Sequence, residues 1–378
     1  MIRTLALSCL VLALGAADGP PRAEVEALLR QAQAWSLANQ LPSGALAPGN
    51  AFLVGITALA AGALVSPPHG VPLDHPTVVK AIDYVLSFKQ RDGGIYTRDE
   101  GLGVYSTSLA LLLAMRLPPE ARGRFDVPAM QRYLFAQQNP ETGELGGGGI
   151  GYGDKGRGFE DLSNTSYALQ ALKVSGLPAD DPRMKEALAF VQRCQDLSAV
   201  NKQPWVKNSG GGVYGPQEAA RSWEKADETQ SARWTPSGNM TYELISSYLT
   251  LDLSPSDPRV QAALDWLRSN YGFDANPGMG PGKQAQGLFH SYALSGTTFG
   301  LLGVGTLTVK GERQVDWRSD LFAALKSRAQ IVDLGGGRQG AWWINSTARW
   351  AEGMPCLCTA YAMRALNSIL AASPQPGG

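Results

Sequence analysis

The sequence has little charge and no excess of either sign. Only 17% of its 378 residues are Asp, Glu, Lys or Arg, and 33 basic side chains balance 33 acidic ones. Proteins that bind nucleic acid normally carry a clear basic excess, so a nucleic-acid partner is not expected. Hydrophobic residues make up 44% of the chain, which is enough to bury a substantial core and excludes a largely disordered protein.

Cysteine is also scarce. Beyond the amino-terminal segment only Cys194, Cys356 and Cys358 remain, and an odd number cannot pair completely within one chain. One residue separates Cys356 from Cys358, whereas the common zinc-binding pairs have two or more residues between them. We therefore expect neither a disulfide framework nor a structural zinc site, and we predict that these cysteines are small core residues.

No apolar run is long enough to cross a bilayer. Arg3, an apolar stretch from Leu5 to Ala17 and the small residues before Asp18 have the layout of a cleaved signal peptide. The apolar stretch is shorter than the roughly 20 residues that a membrane span needs. We predict a signal peptide over residues 1–17, no transmembrane anchor, and export to the periplasm, cell envelope or extracellular space. A lipoprotein is the alternative to soluble export.

Proline and aspartate recur at the start of amphipathic stretches. An Asp side chain caps the free N–H groups of a helix, and Pro fits the first helical turn, where its missing N–H would be unpaired. Six such openings divide the chain at near-regular intervals. They predict six repeats over approximately 21–75, 76–127, 128–181, 182–257, 258–317 and 318–371.

A second, more uniformly apolar helix follows a glycine-rich loop in each repeat. These helices are predicted over Asn50–Val65, Val104–Arg116, Ser163–Val174, Met240–Leu251, Phe289–Leu302 and Leu357–Leu370. Apolar residues on all sides are typical of an inner ring that is shielded by an outer one. The first and last of these helices are as apolar as the others, so neither is a polar cap of an open array. We predict an all-α fold in which residues 18–378 form a single (α/α)6 toroid of six helical hairpins.

Several segments resemble known repeats. The loop Gln90-Arg91-Asp92-Gly93-Gly94, with a degraded copy over 335–342, resembles the repeat of squalene–hopene cyclases and protein prenyltransferases. Asp161–Thr165, Ser237–Tyr242 and Arg349–Gly353 more closely resemble exported bacterial prenyltransferase/squalene oxidase repeat proteins, a group with no established activity. The resemblance covers nearly the whole mature chain. It implies the α/α toroid and a central cavity that binds an isoprenoid or other apolar ligand.

The reactive groups of the related enzymes are missing. Class II terpene cyclases use an Asp-x-Asp-Asp acid, and the nearest string, Pro178-Ala179-Asp180-Asp181, has Pro at the first Asp position. Protein prenyltransferases hold zinc with Asp, Cys and His. The approach to His290 resembles that of their His ligand, but no Asp-x-Cys pair lies upstream. We therefore predict no metal and no cofactor, and leave open whether the protein is an enzyme.

Polar and aromatic residues at the starts of the inner helices are the candidate site residues, since this end of each helix faces the central cavity. Asp161, His290 and Glu352 are candidate catalytic residues, because carboxyl and imidazole groups carry protons. Aromatic faces stabilise cations or stack on sugars. Four further residues are candidates for ligand binding: Asn164, Tyr242, Arg349 and Trp350. Helix capping, ion pairing and core packing are the alternative roles of all seven.

Three functions fit this reading. The first is a terpenoid cyclase- or prenyltransferase-like toroid that binds an isoprenoid, which an aromatic pocket would favour. The second is a glycan-active toroid that uses Asp161 and Glu352, which two carboxyl groups facing each other across the cavity would favour. The third is a non-catalytic envelope scaffold with a protein partner, which a cavity filled by side chains would favour.

Metal analysis tests the absence of zinc. Protein purified without chelators should contain no stoichiometric zinc, because two of the three ligands of the transferase site are missing. Elemental analysis checks this, and a tightly bound zinc ion with His290 among its ligands would contradict it.

Overall fold

The computed structural model describes residues 19–47, 53–98, 100–153, 160–224 and 235–373. The helices, in chain order, are α1 (Arg22–Ala38), α2 (Leu53–Leu64), α3 (Pro76–Leu86), α4 (Gly103–Arg116), α5 (Pro119–Arg122), α6 (Val127–Ala136), α7 (Leu162–Val174), α8 (Pro182–Arg193), α9 (Pro216–Glu224), α10 (Gly238–Thr250), α11 (Pro258–Ser269), α12 (Leu288–Leu302), α13 (Trp317–Arg328) and α14 (Pro355–Ala372). The predicted signal peptide and the predicted start of the first inner helix at Asn50 lie outside the described residues. No helix in the described part has the length and apolarity needed to cross a membrane.

Six helices form a closed inner ring. Helix α2 packs against α4, and the ring continues through α7, α10 and α12 to α14, which returns to α2. Nearly every residue of α2, α7 and α10 is buried, as expected for helices that are enclosed on all sides. The predicted all-α toroid is confirmed.

The outer helices α1, α3, α6, α8, α11 and α13 bury only one face each. Capping fixes where four of them begin, since Asp126, Asp181, Asp257 and Asp316 each accept a backbone N–H of the first turn. At α3 the ring nitrogen of His75 takes this role and accepts the N–H of Thr77. The Asp and Pro pattern thus acts locally as its chemistry predicts.

The ring closes between the ends of the chain. Helix α14 packs against both α1 and α2. The Asn367 Nδ2 group donates to the carbonyl of Ala63 at 3.1 Å. The guanidinium of Arg22 in α1 donates to the carbonyl of Leu370 in α14 at 3.4 Å. The first and sixth repeats therefore share one interface.

Two short antiparallel hairpins, which the sequence analysis does not anticipate, flank α13. Strands β1 (Thr306–Val309) and β2 (Arg313–Asp316) pair before the helix, and β3 (Gln330–Asp333) and β4 (Gln339–Trp342) pair after it. Gly335, Gly336 and Gly337 all have positive φ and make the turn between β3 and β4. Residues 335–342, taken from the sequence as a degraded repeat loop, are thus a hairpin turn and strand, because successive left-handed glycines reverse the chain.

A glutamine after several outer helices joins each repeat to the next. Gln138 Nε2 donates to the carbonyl of Gly148 at 3.0 Å and to that of Arg183, in the first turn of α8, at 2.8 Å. Gln195 donates in the same way to Gly210 at 3.0 Å and Arg259 at 2.9 Å. The same bonds join Gln40 to Gly44 and Thr77.

A left-handed glycine in these loops touches the next outer helix. Gly148 has a φ of +76°, and a Cβ atom there would overlap the carbonyl oxygen of Glu186 in α8. Gly44, Gly93 and Gly210 are left-handed in the same way and lie against backbone carbonyls of α3, α6 and α11. Any side chain would therefore push neighbouring repeats apart.

A threonine near the start of five inner helices fixes the same loops from the other side. Each hydroxyl accepts a backbone N–H from the loop of its own repeat, at 2.9–3.2 Å. The residues are Thr57, Thr107, Thr165, Thr241 and Thr359. Loop, inner helix and next outer helix are thus held together at the end where the inner helices begin.

A pair of glycine substitutions tests the close approach. Gly143 and Gly148 both have positive φ, but a Cβ at Gly143 would meet nothing within 4 Å. Gly143→Ala should cost only about 1–2 kcal/mol of unfolding free energy from backbone strain. Gly148→Ala should cost about 1–3 kcal/mol more, because overpacking adds to the same strain. Urea unfolding measures both, and equal losses would contradict the contact with α8.

Candidate functional site

The centre of the ring holds a cluster of polar and aromatic side chains around His290, the first-turn histidine of α12. His290 Nε2 lies 3.2 Å from the Tyr167 hydroxyl and 3.3 Å from Glu243 Oε1. The His290 ring stacks on Tyr167, with centroids 6.0 Å apart, and packs against Tyr361 at 5.2 Å. Three inner helices besides α12 therefore contribute side chains to this point.

Glu243 is a fully buried carboxyl group in this cluster. Its Oε1 accepts the Ser163 hydroxyl at 2.9 Å, and Ser163 in turn bonds to the hydroxyl of Tyr105. Its Oε2 is buried and has no hydrogen-bond partner among the described residues. Burial raises the pKa of Glu243 to about 8, and the charge of Asp161 acts in the same direction. At neutral pH this side chain is mainly an uncharged carboxylic acid.

His290 is also uncharged. Burial lowers its pKa to about 3, and the positive charge of Arg364 adds to this effect. The 3.3 Å contact between His290 Nε2 and Glu243 Oε1 is therefore a contact between neutral groups rather than an ion pair. The sequence analysis nominated His290 as a proton carrier. With a pKa of about 3 its ring stays unprotonated at neutral pH, and the Tyr167 hydroxyl and Glu243 Oε1 lie 3.2 and 3.3 Å from Nε2.

Side chains also occupy the ring next to this cluster, around Arg364 of α14. Arg364 donates to the Tyr167 hydroxyl at 3.4 Å and to Gln170 Oε1 at 3.5 Å. Between α2, α4 and α14 lies a cavity of about 20 Å³, lined in part by Leu59, Leu109 and Arg364. That volume is close to what one water molecule requires.

Asp161 lies at the mouth of the ring, where it caps α7. Its carboxylate accepts the backbone N–H and the side-chain amide of Asn164, both at 2.8 Å. Burial raises the pKa of Asp161 to about 7, against the opposing effect of these hydrogen bonds. The predicted catalytic Asp161 and ligand-binding Asn164 are thus partners in one helix cap, and Tyr214 lies beside them.

Glu352 caps a different inner helix. Gly287 precedes α12 and has no side chain, and Glu352 reaches in and accepts the N–H of His290 at 2.7 Å. Its second oxygen accepts the amide of Asn345. Burial raises the pKa of Glu352 to about 7. Asp161 and Glu352 therefore orient α7 and α12, and their oxygens bind N–H groups.

The three remaining candidates lie in two other places. Tyr242 is buried between α10 and α12, edge-on to Phe299 with centroids 5.6 Å apart, so its side chain packs away from the cluster that its neighbour Glu243 joins. Arg349 and Trp350 are exposed in a short 3₁₀ turn before α14. The guanidinium of Arg349 lies 5.6 Å from the Trp350 ring centroid.

The sequence analysis missed Glu243, together with Ser163, Tyr167, Tyr361 and Arg364. A signal for three of them is present, because the residue two positions after each loop-binding threonine points into the ring. Thr165, Thr241 and Thr359 place Tyr167, Glu243 and Tyr361 in this way, and Leu59 and Leu109 follow the same rule at the cavity. Glu243 is the acidic residue in this series.

A cleft on the rim is another concave surface. Its volume is about 510 Å³, and Asn139, Glu144, Glu160, Gln203 and Gln217 are among its lining residues. Gln217 donates to Glu160 at 2.7 Å. This cleft is polar, unlike the ring centre. Within the described ranges, no three His, Cys, Asp or Glu side chains are grouped as metal ligands, and Cys194, Cys356 and Cys358 are buried and unpaired, as predicted.

Comparison with known proteins identifies the fold. No protein-family model and no curated protein sequence matches the chain significantly. The crystal structure of a protein from Actinoplanes is similar at 15% identity, with a TM-score of 0.52, over 94% of this chain and 100% of that one. The type II terpene cyclase MstE from Scytonema matches at 12% identity with a TM-score of 0.54, over 94% of this chain and 99% of that one.

A variant of MstE in complex with its substrate, geranylgeranyl dihydroxybenzoate, matches at 14% identity. Its TM-score is 0.54, and the match covers 93% of this chain and 98% of that one. At such low identity, similarity establishes the fold and nothing finer. The chain has a terpene cyclase-like helical fold.

Because these acids are buried, we predict that the free energy of unfolding decreases as pH rises from 6.5 to 8. Glu243 has a pKa of about 8 in the folded protein and an ordinary value of 4.5 in the unfolded chain. Its contribution to the free energy of unfolding is therefore fully present below pH 4.5 and is lost as pH rises through 8. Asp161 and Glu352 act in the same direction. The lowered pKa of His290 acts oppositely, but only below about pH 6.5.

Thermal or urea unfolding at pH 6.5 and 8 measures this slope. Glu243→Gln keeps the shape of the neutral acid and should flatten the fall, whereas Glu120→Gln, at an exposed position of α5, should leave it unchanged. The same slope in wild type and Glu243→Gln would show that Glu243 is ionised in the folded protein.

Proposed function

We propose that this protein is an exported, terpenoid cyclase-like toroid that binds an isoprenoid or another apolar ligand at the centre of its ring. The observation that carries the proposal is the uncharged Glu243, whose Oε2 has no partner in the described structure and which lies among Tyr105, Tyr167, His290 and Tyr361. Apolar, electron-rich ligands suit such surroundings, because aromatic faces pack against them and a neutral acid donates one hydrogen bond.

The acidity of Glu243 favours binding over cyclisation. Protonating an unactivated alkene needs a strong acid, and a pKa of about 8 makes Glu243 a weak one. A weak acid keeps its proton at neutral pH and can donate it in a hydrogen bond to an alcohol, a carbonyl or a π-system. The absence of an Asp-x-Asp-Asp string points in the same direction.

Binding requires the aromatic side chains to move. An isoprenoid chain is much larger than the cavity of about 20 Å³ beside Leu59 and Leu109. Tyr105 is half-buried and begins the chain of hydrogen bonds to Glu243, so it is the side chain of this cluster best placed to turn aside. In this proposal the ligand enters where the inner helices begin and displaces Tyr105.

The family and location belong to the same proposal. The motifs over 161–165, 237–242 and 349–353 support membership of the exported prenyltransferase/squalene oxidase repeat group, and the composition of residues 1–17 supports export.

A scaffold is the second candidate function. The side chains that occupy the ring centre favour it, since a toroid without an internal ligand can still present its rim to an envelope protein. The polar rim cleft would then be the more relevant surface.

Ligand binding separates the two functions. Solvent extraction of the purified protein followed by mass spectrometry should release an apolar lipid, and farnesol should quench the intrinsic fluorescence in a saturable titration. Glu243→Leu should weaken farnesol binding by about 10-fold, because it removes the hydrogen-bond donor in a water-poor site, whereas Glu243→Gln keeps an N–H donor and should retain most of the affinity. Glu120→Leu on the surface is the matched control. If no lipid is extracted and farnesol does not bind to the wild type, the scaffold function stands instead.

A further inference from the structure

Two arginines share the cavity between α2, α4 and α14. Arg116, the last residue of α4, and Arg364, in the middle of α14, both line this space of about 20 Å³. Other arginines without a carboxylate partner in the described ranges, such as Arg91 and Arg132, are exposed, and water solvates each charge separately. Arg116 and Arg364 differ from them because one narrow cavity joins their two positive charges.

Neither guanidinium forms an ion pair with a carboxylate in the part of the chain that the structure describes. Arg116 Nη1 donates to the carbonyl of Leu112, one turn earlier in its own helix, at 3.0 Å. Arg364 donates only the two long bonds to Tyr167 and Gln170, at 3.4 and 3.5 Å. A guanidinium has five N–H donors, so each of the two arginines has further donors for a ligand.

The acid that Arg364 influences does not supply a balancing charge. Arg364 favours the ionised form of Glu243, but burial dominates and raises the pKa of Glu243 to about 8, so this side chain is mainly uncharged at neutral pH. Desolvation lowers the pKa of Arg116 to about 10, and the positive charge of Arg364 acts in the same direction. The two cations therefore repel each other.

The cavity between them suits a small anion. Leu59, Leu109 and Leu112 are among its lining residues, and the hydroxyl of Ser66 already donates to the carbonyl of Gly62 at 2.7 Å. Apolar surroundings hydrate a charge poorly, which strengthens its attraction to a counter-ion. The volume is close to that of one water molecule, and a chloride ion is only slightly larger. A phosphate ester or an anion with an apolar chain is too large.

We propose that Arg116 and Arg364 bind one monatomic anion of the size of chloride in this cavity. Each guanidinium donates N–H groups to the ion, and charge assistance makes such hydrogen bonds strong. The ion offsets the repulsion between the two arginines and links α4 to α14, which lie on either side of α2 in the ring. This site does not depend on the proposed isoprenoid ligand, because its donors and its occupant are different.

The ends of the helices do not replace the anion. The carboxyl-terminal end of α4 carries a partial negative charge, which favours a cation at Arg116. This effect is confined to the last turn of a helix, and Arg364 lies well inside α14, which spans Pro355–Ala372. The charge of Arg364 therefore remains to be balanced.

Thermal unfolding in sodium chloride and in sodium gluconate, at constant ionic strength, tests the proposal. Gluconate is too large for the cavity, whereas both salts screen surface charges equally. In the wild type, chloride should raise the unfolding midpoint saturably, by about 2 °C at roughly ten times its Kd, and bromide should act like chloride. The control Arg132→Gln, at an exposed position of α6, should show the wild-type shift.

Two variants remove the site in different ways, and each is compared with itself in the two salts. Arg116→Gln removes one of the two charges and should lose the chloride shift, whereas Arg116→Lys should keep part of it. Gly62→Ala in α2 adds a methyl group 3.6 Å from Arg116 Nη1, without overlap. It keeps both charges but narrows the cavity, so it should also lose most of the shift.

The results that would overturn the proposal are specific. Equal midpoints in chloride and gluconate for the wild type would show that Arg116 and Arg364 need no ion. A chloride shift that persists in Arg116→Gln would place chloride elsewhere, and a shift with phosphate but not with chloride would contradict a monatomic occupant. Line broadening of ³⁵Cl in NMR spectra gives a readout without unfolding: the wild type should broaden the signal more than Arg116→Gln or Gly62→Ala, and equal broadening would overturn the proposal.

Discussion

The fold depends on how closely the loop of one repeat approaches the outer helix of the next. Gly148 lies against a carbonyl of α8 in a conformation that only glycine adopts easily, and Gln138 bonds across the same joint. On the other face of this loop, Thr165 takes the N–H of Ile150 and fixes the start of α7. Because these contacts recur, the beginnings of the inner helices are rigidly placed, and the side chains that follow them meet in the ring.

The site shows the cost of building a polar centre from buried helices. Glu243, Asp161 and Glu352 are buried, and a buried carboxylate is unfavourable unless it is neutralised or hydrogen-bonded. The pKa of each acid is raised, which favours the neutral form, and N–H or O–H groups donate to its oxygens. The oxygens of Asp161 and Glu352 accept N–H groups at the starts of α7 and α12. Glu243 differs, because its Oε2 has no hydrogen-bond partner in the described structure. This difference in hydrogen bonding separates the positioning acids from the acid that can meet a ligand.

Sequence reasoning succeeded where a local rule decides the outcome. Asp257 and Pro258 start a helix by capping chemistry alone, and uniform apolarity indicates burial, so the toroid could be predicted. The site could be predicted only in part. Asp161 and His290 stand out as polar residues in apolar repeats, but the role of Glu243 depends on its register after Thr241 and on partners from two other helices, Ser163 of α7 and His290 of α12. The outward packing of Tyr242 depends on the same register, and pattern analysis does not reveal which way a side chain points.

Closure of the ring has a consequence for how the chain folds. An open solenoid can grow or shorten by one repeat, because each repeat touches only its neighbours. Here α14 must meet α1 and α2 across more than 300 residues of chain, as the bond from Asn367 to Ala63 illustrates. Such long-range contacts slow folding, and until they form, the apolar flanks of the first and last inner helices remain uncovered. The number of repeats is thus fixed by geometry, and α14 completes the core by packing against α1 and α2.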